Sequence, residues 1–246
     1  MVTRLIAGAG FAVVWSLFCA FLAKYELKKV YEKLLSSEKN PKSESEDGAD
    51  VVADKTEIQD KTFDNRKMYI FGAVIVILNV LLSIALMMIY KETPIIEHVK
   101  RLGLLGLIEV AAVTDKQYNI IPNDLIKVGI AFRIVMLIAE VVFFKKAVLS
   151  ILVSDAIGIL AVVIIVLVCL LFMKGSVGMG DLKLMMLMAF CQGIDGFTAS
   201  GMCSLLVAFF VAVYYLITKK KDRKDSMAFA PFLAIGSYLG IFLTGL

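Results

Sequence analysis

Asp115 and Asp181 are the two residues of this chain whose type and setting best suit bond-breaking chemistry. Asp115 stands just past the apolar run 104–113, and Asp181 closes the segment Gly178-Met179-Gly180-Asp181. An ionisable group within or beside a membrane-spanning run costs roughly 2.5–3.5 kcal/mol to insert, so its presence there marks a candidate functional site. Two carboxylates brought to a single water cannot both ionise cheaply, and they share a proton. One then takes a proton from the water while the other protonates the carbonyl oxygen of an amide. Such a pair hydrolyses a peptide bond with neither a metal nor a covalent intermediate.

The flanking residues suit that chemistry. Asp115 is followed by Lys116-Gln117-Tyr118-Asn119-Ile120-Ile121-Pro122-Asn123, where Pro122 stops a helix from simply continuing and leaves the carboxylate at a helix end. Gly178 and Gly180 are free to take backbone angles closed to other residues and to let a substrate strand come close. Lys183, two residues beyond Asp181, is placed either to act on a carboxylate or to anchor the segment to lipid headgroups. Among the other acids, Glu109 lies about one and a half helical turns before Asp115 and is the serious rival. Ser154-Asp155 reads as a helix N-cap on the outer side. Glu140 reads as a residue near the outer end of its helix, and Asp195 lies at the far end of the helix that Asp181 opens. The four cysteines, Cys19, Cys169, Cys191 and Cys203, sit inside apolar runs without metal-ligand spacing and read as lipid-buried thiols. His98 is the single histidine and falls in a polar connection, where a solvated side chain is expected. Neither a His-based metal site nor a Ser/His/Asp triad has a candidate.

These residues must be positioned by membrane helices. Hydrophobic residues make up 60% of the 246-residue chain and charged ones 20%, against about 45–50% apolar in ordinary soluble domains. Apolar runs cover 5–23, 68–90, about 99–113, 125–144, 148–173, 181–194, 198–217 and 229–246, which predicts an all-α, polytopic integral membrane protein with about eight crossings. The first run reads as a retained helix, because no small-residue cleavage site leads into an exported domain. Lys24, Lys28, Lys29 and Lys33 follow it and only Arg4 precedes it, which places the N-terminus outside. Lys145 and Lys146 fall on the outer side in this count and oppose it. The domains are then a first transmembrane helix (1–23), a polar cytoplasmic loop (24–67) and a multi-helix membrane core (68–246). The loop holds 10 Lys+Arg and 11 Asp+Glu, and beyond Ser36 it is too poor in apolar residues to fold alone. Two crossings separate the aspartates, so both lie at the cytoplasmic face. The runs near 99–113 and 181–194 are short for full spans and are expected to flank the active cavity. The formal net charge of +4 is small, and the basic residues cluster in short loops, which suits membrane lipids and not nucleic acid.

Thr114-Asp115 leading to Ile121-Pro122-Asn123, and Gly178-Met179-Gly180-Asp181-Leu182-Lys183-Leu184, resemble the two aspartate motifs of the type IV prepilin peptidases and their archaeal preflagellin relatives. Ser154-Asp155-Ala156-Ile157-Gly158 and Ala230-Pro231-Phe232-Leu233-Ala234-Ile235-Gly236 are similar to that family's small-residue and proline-bearing helix openings. The resemblance spans residues 114–236. It implies catalytic roles for Asp115 and Asp181, with Gly178, Gly180, Lys183, Pro122, Asn123 and Pro231 in support. It also implies a cell-membrane peptidase that removes the short basic leader of prepilin or pseudopilin-like partners. Many members carry zinc-binding Cys-x-x-Cys pairs in the first cytoplasmic loop and methylate the product. Residues 24–67 contain no cysteine, so no zinc is expected and use of S-adenosylmethionine is not implied. Two other classes of function compete. A proton- or cation-coupled transporter would use the same acids as a relay, but it predicts repeated halves that the sequence does not display. A non-catalytic pilus or secretion assembly protein would depend on the polar loop instead of the aspartates.

Overall fold

A computed structural model describes residues 2–39, 65–172, 178–218 and 228–245, and these form seven α-helices with no strand among them. They are α1 (Val2–Lys39), α2 (Asn65–Ile89), α3 (Ile95–Tyr118), α4 (Asn123–Phe143), α5 (Val148–Phe172), α6 (Met179–Ile217) and α7 (Ala230–Thr244). The centre of the expected polar loop, 40–64, and the basic cluster at 219–224 lie outside the described residues. The described part of the chain is therefore all-helical. Four helices are long and apolar enough to cross a membrane, at Thr3–Lys33, Gly72–Ile89, Val148–Val168 and Met179–Ile217. Their outward faces carry large bare apolar side chains, among them Phe21, Leu81, Leu160 and Phe210. An apolar surface of that extent suits lipid and not water.

α3 sits at the centre. Residues 101–112 are all buried, with Leu104, Leu105, Leu107, Ile108 and Ala111 fully enclosed. This explains how a helix bearing Lys100, Arg101, Glu109 and Asp115 is accommodated in an apolar molecule. Its neighbours shield those charges from lipid, and intramembrane ionisable groups face protein interiors for that reason. α1 packs close to it: the Trp15 indole N–H donates to the Gly103 carbonyl at 3.0 Å. A Cβ on Gly106 would lie 2.7 Å from Cys19 Sγ and from Trp15 Nε1. α1 also runs on past Ala23, and there Leu27 and Val30 pack with Tyr118 in the last turn of α3.

α6 is two arms joined at Gly193, whose φ of 67° and ψ of −172° are not helical. A straight helix would carry Ser204 about 35 Å from Asp181, at 1.5 Å per residue. Yet Ser204 abuts Gly236, about 9 Å along α7 from Ala230. The Ala230 amide in turn bonds Asp115. The chain must therefore fold back at Gly193. The apolar runs 181–194 and 198–217 are thus two helices, as the sequence reads them, and they meet at Gly193 with no loop between them.

The kink breaks the helical bond that Ile194 N–H would make to the Phe190 carbonyl, and each half finds a replacement. Ile194 N–H donates to Ser154 Oγ at 3.3 Å, and the Arg133 Nε–H donates to the Phe190 carbonyl at 2.8 Å. Buried backbone groups require such partners. Ser154 thus terminates a helix arm far away in the chain, in place of the N-cap role expected for Ser154-Asp155. α5 has already begun at Val148.

Helices α6 and α7 approach through glycines. A Cβ on Gly236 would stand 2.3 Å from Ser204 N and 2.5 Å from Ser204 Cα, and one on Gly240 2.7 Å from Ser200 Cα. Backbone cannot step aside as a flexible side chain does. Gly236→Ala is expected to lower stability by about 1–3 kcal/mol through overpacking. Gly201→Ala, with open space around its Cβ, is the matched control. Thermal unfolding of the two variants in detergent checks this, and equal midpoints would contradict the close approach.

Candidate active site

Asp115 occupies the last turn of α3 and is 5% exposed. The helix stops because Asn119 takes a left-handed conformation (φ 51°, ψ 36°), with its N–H bonded to the Asp115 carbonyl at 2.8 Å. Asparagine is one of the few residues that enters this region readily. Pro122, at φ −65° and ψ 134°, then starts α4 at Asn123. The Asp115 side chain reaches across the molecule: Oδ2 accepts from the Ala230 N–H at 3.0 Å, at the first turn of α7. Pro231 lies in that turn, where the missing N–H removes no helical bond.

Asp181 lies in the first turn of α6, after Gly178 at the N-cap. Its Oδ1 is buried and has no protein partner. Gly180, next to Asp181, lies against Ile121, six residues past Asp115, so the fold brings the two acid-bearing segments together. The segments around them interlock. A Cβ on Gly180 would sit 3.1 Å from the Ile121 Cβ, and one on Gly178 3.2 Å from Asp181 Oδ2. Lys183 Nζ donates to Asn123 Oδ1 at 2.8 Å, joining the start of α6 to the start of α4.

Several expectations change here. Gly178 has an ordinary φ of −65°, and Gly180 is not among the positive-φ glycines. Both glycines serve close packing and not a special backbone angle. Lys183 is tied to the Asn123 side-chain oxygen instead of a carboxylate. Glu109 faces away from Asp115, because six residues turn a helix by about 240° net. Its carboxylate accepts from Asn79 Nδ2 at 3.0 Å and from the Tyr238 hydroxyl, in the seam of α2, α3 and α7. His98 is 2% exposed and not solvated. Cys19 and Cys191 are packed inside the protein, not against lipid, and Cys203 is half-buried. At the α4 start, Lys29 and Lys127 bond Asp124 and hold its carboxylate well below the usual range, so this acid stays ionised.

A buried ionic cluster escaped the sequence reading. Arg133, fully enclosed, pairs with Glu140 Oε2 at 2.8 Å and with Asp155, and Lys100 joins Glu140 Oε1 at 2.8 Å and Glu97 at 2.9 Å. Asp155 is thus an ion-pair partner in mid-helix. Glu140 is wholly buried. A lone arginine within the apolar run 125–144 was the available signal, since such a group needs a partner.

Residues 102–217 match the family model of the type IV leader peptidases, and both aspartates and the segments that interlock around them fall inside the match. That stretch, a little under half of the chain, is similar to the type IV leader peptidase family. No curated protein and no solved structure is significantly similar to it. The chain has the long apolar helices of a multi-pass membrane protein, and α7, which donates to Asp115, lies beyond the matched residues.

Proposed function

We propose that this protein is an aspartic endopeptidase that removes the short basic leader of prepilin or pseudopilin-like proteins at the cytoplasmic face of the cell membrane. The observation that carries the reading is the interlocking of the two acid-bearing segments, Gly180 against Ile121 and Lys183 on Asn123, inside the matched region. Two carboxylates that reach one water favour a single shared proton. One takes a proton from a water between them as the other protonates the scissile carbonyl oxygen, and the tetrahedral intermediate collapses with the proton delivered to the leaving amine. Asp181 Oδ1, buried without a protein partner, suits such a water. The reaction as proposed uses neither metal nor S-adenosylmethionine.

The topology that goes with this reading has eight helical passages, counting each arm of α6, with the N-terminus outside. It sets the aspartates, the basic flank of α1 and the 24–67 loop on the cytoplasmic side, where a leader would present its positive charge. The test is co-expression with candidate leader-bearing proteins and mass spectrometry of their new N-termini. A cut before the hydrophobic helix supports the proposal, and intact leaders for every candidate would sink it. The same spectra report whether the new N-terminus is methylated.

Lys183 and Asn123 act here as positioning residues for Asp181. Each single alanine variant is expected to lower kcat by roughly tenfold to a hundredfold, since small misplacements of a catalytic group are expensive. The double variant should lose little more than either single one, because both remove the same bond. Lys183 is solvent-exposed, so thermal stability should move by less than about 1 kcal/mol. Additive losses in kcat would contradict the shared role.

A further inference from the structure

A cavity of about 70 Å³ lies between α3 and α6 and is lined by Glu97, Lys100, Arg101, Leu104, Cys191 and Gln192. Lys100 precedes Asp115 by some 22 Å along α3, so this cavity sits toward the other end of the bundle from the aspartates. Its lining is short of hydrogen-bond partners. Arg101 is 7% exposed, and its buried Nη1 has no acceptor. Gln192 Nε2 and Oε1 are both buried and both without partners. Lys100, beside them, is already held by Glu97 and Glu140, and the third carboxylate of the cluster is taken by Arg133.

Arginine cannot shed its charge to escape burial as lysine or a carboxylic acid can. An enclosed guanidinium nitrogen without an acceptor therefore calls for an anion or a well-placed water. The planar fork of Arg101 matches two oxygens of a phosphate. The Gln192 amide offers a donor to a third oxygen and an acceptor for a protonated or hydroxyl-bearing group. A volume of about 70 Å³ admits one tetrahedral oxyanion or the phosphate of a headgroup, but no bulky ligand.

We propose that this cavity binds a phosphate group, with Arg101 and Gln192 as its ligands. The site is separate from the aspartate pair and stands or falls independently of the protease reading. Two sources share the chemistry, inorganic phosphate and an anionic phospholipid headgroup, and the experiment separates them. The full-length protein is purified without phosphate, stripped of lipid, and titrated with inorganic phosphate or with short-chain phosphatidylglycerol. Native mass spectrometry and thermal unfolding provide the readouts. One bound equivalent and a raised unfolding midpoint in either arm are expected, and the arm that responds names the source.

Arg101→Gln should weaken that binding by about tenfold or more through loss of the charge-assisted bonds. Lys28→Gln, on the exposed face of α1, should leave it unchanged. If Arg101→Gln does not fold, Gln192→Leu, which fills the cavity and removes the amide, serves in its place. Absence of binding in both arms would show that water alone fills the cavity. That outcome, or binding that survives Arg101→Gln or its substitute, overturns the proposal.

Discussion

Replacing Asp115 or Asp181 by asparagine is expected to abolish leader removal, with a fall in kcat of ~10²–10⁴-fold or more for each, while the protein still accumulates in membranes. The size follows from the geometry. Both acids are held at one end of the bundle by elements remote in sequence, Asp115 against the first turn of α7 and Asp181 against the Ile121–Asn123 segment by way of Gly180 and Lys183. Asparagine preserves volume and hydrogen-bonding reach but carries no exchangeable acid proton and offers no base. Removing either member should therefore inactivate the unit, and the double variant should be no worse than each single one. Cleavage of a co-expressed substrate, read by mass spectrometry in membranes containing matched amounts of each variant, decides the matter. Residual cleavage above background in either single variant would contradict the pair. Loss of the protein itself would instead show a folding defect, and the unfolding midpoint separates the two.

The largest stability effect is expected at Arg133. Arg133→Met should cost about 3–5 kcal/mol, because it leaves two buried acids without their main cation. Glu140 keeps Lys100, but Asp155 loses its one ion-pair partner among the described residues, and the Phe190 carbonyl at the α6 kink loses its donor. A buried pair contributes little net stability relative to well-packed apolar residues, yet breaking one side of it is severe. The triple variant Arg133→Met with Glu140→Gln and Asp155→Asn should recover part of the loss, since it removes the stranded charges along with the cation. Thermal unfolding in detergent reads the effect. A single variant as stable as the parent would show that the cluster is hydrated and not sealed.

The contrast between local motifs and long-range partners explains why parts of the fold were legible in the sequence and others were not. Asp115, Pro122 and the Gly178–Asp181 segment announce themselves by local type and spacing, and the structure does bring these segments together. The short runs at 181–194 and 198–217 were visible as separate apolar stretches. That the two helices join directly and fold back on each other depends on Gly193, where a lone glycine within apolar sequence has no distinctive local pattern. Ser154-Asp155 looked like a cap because Ser and Asp often open helices. Both residues instead serve partners roughly 20 to 40 positions away, Arg133 and Ile194.

The sequence by itself determined the membrane character, the helical class and the two acids to examine, because hydrophobic runs, breakers and motif spacing are properties of neighbouring residues. Tertiary structure alone decided that the Ala230 amide holds Asp115, that Lys183 binds Asn123, that Glu109 faces another seam and that Arg133 gathers Glu140 and Asp155. Each of those outcomes is a partnership between residues on different helices. Burial makes every such partnership obligatory, but which partner meets the need depends on how the helices pack.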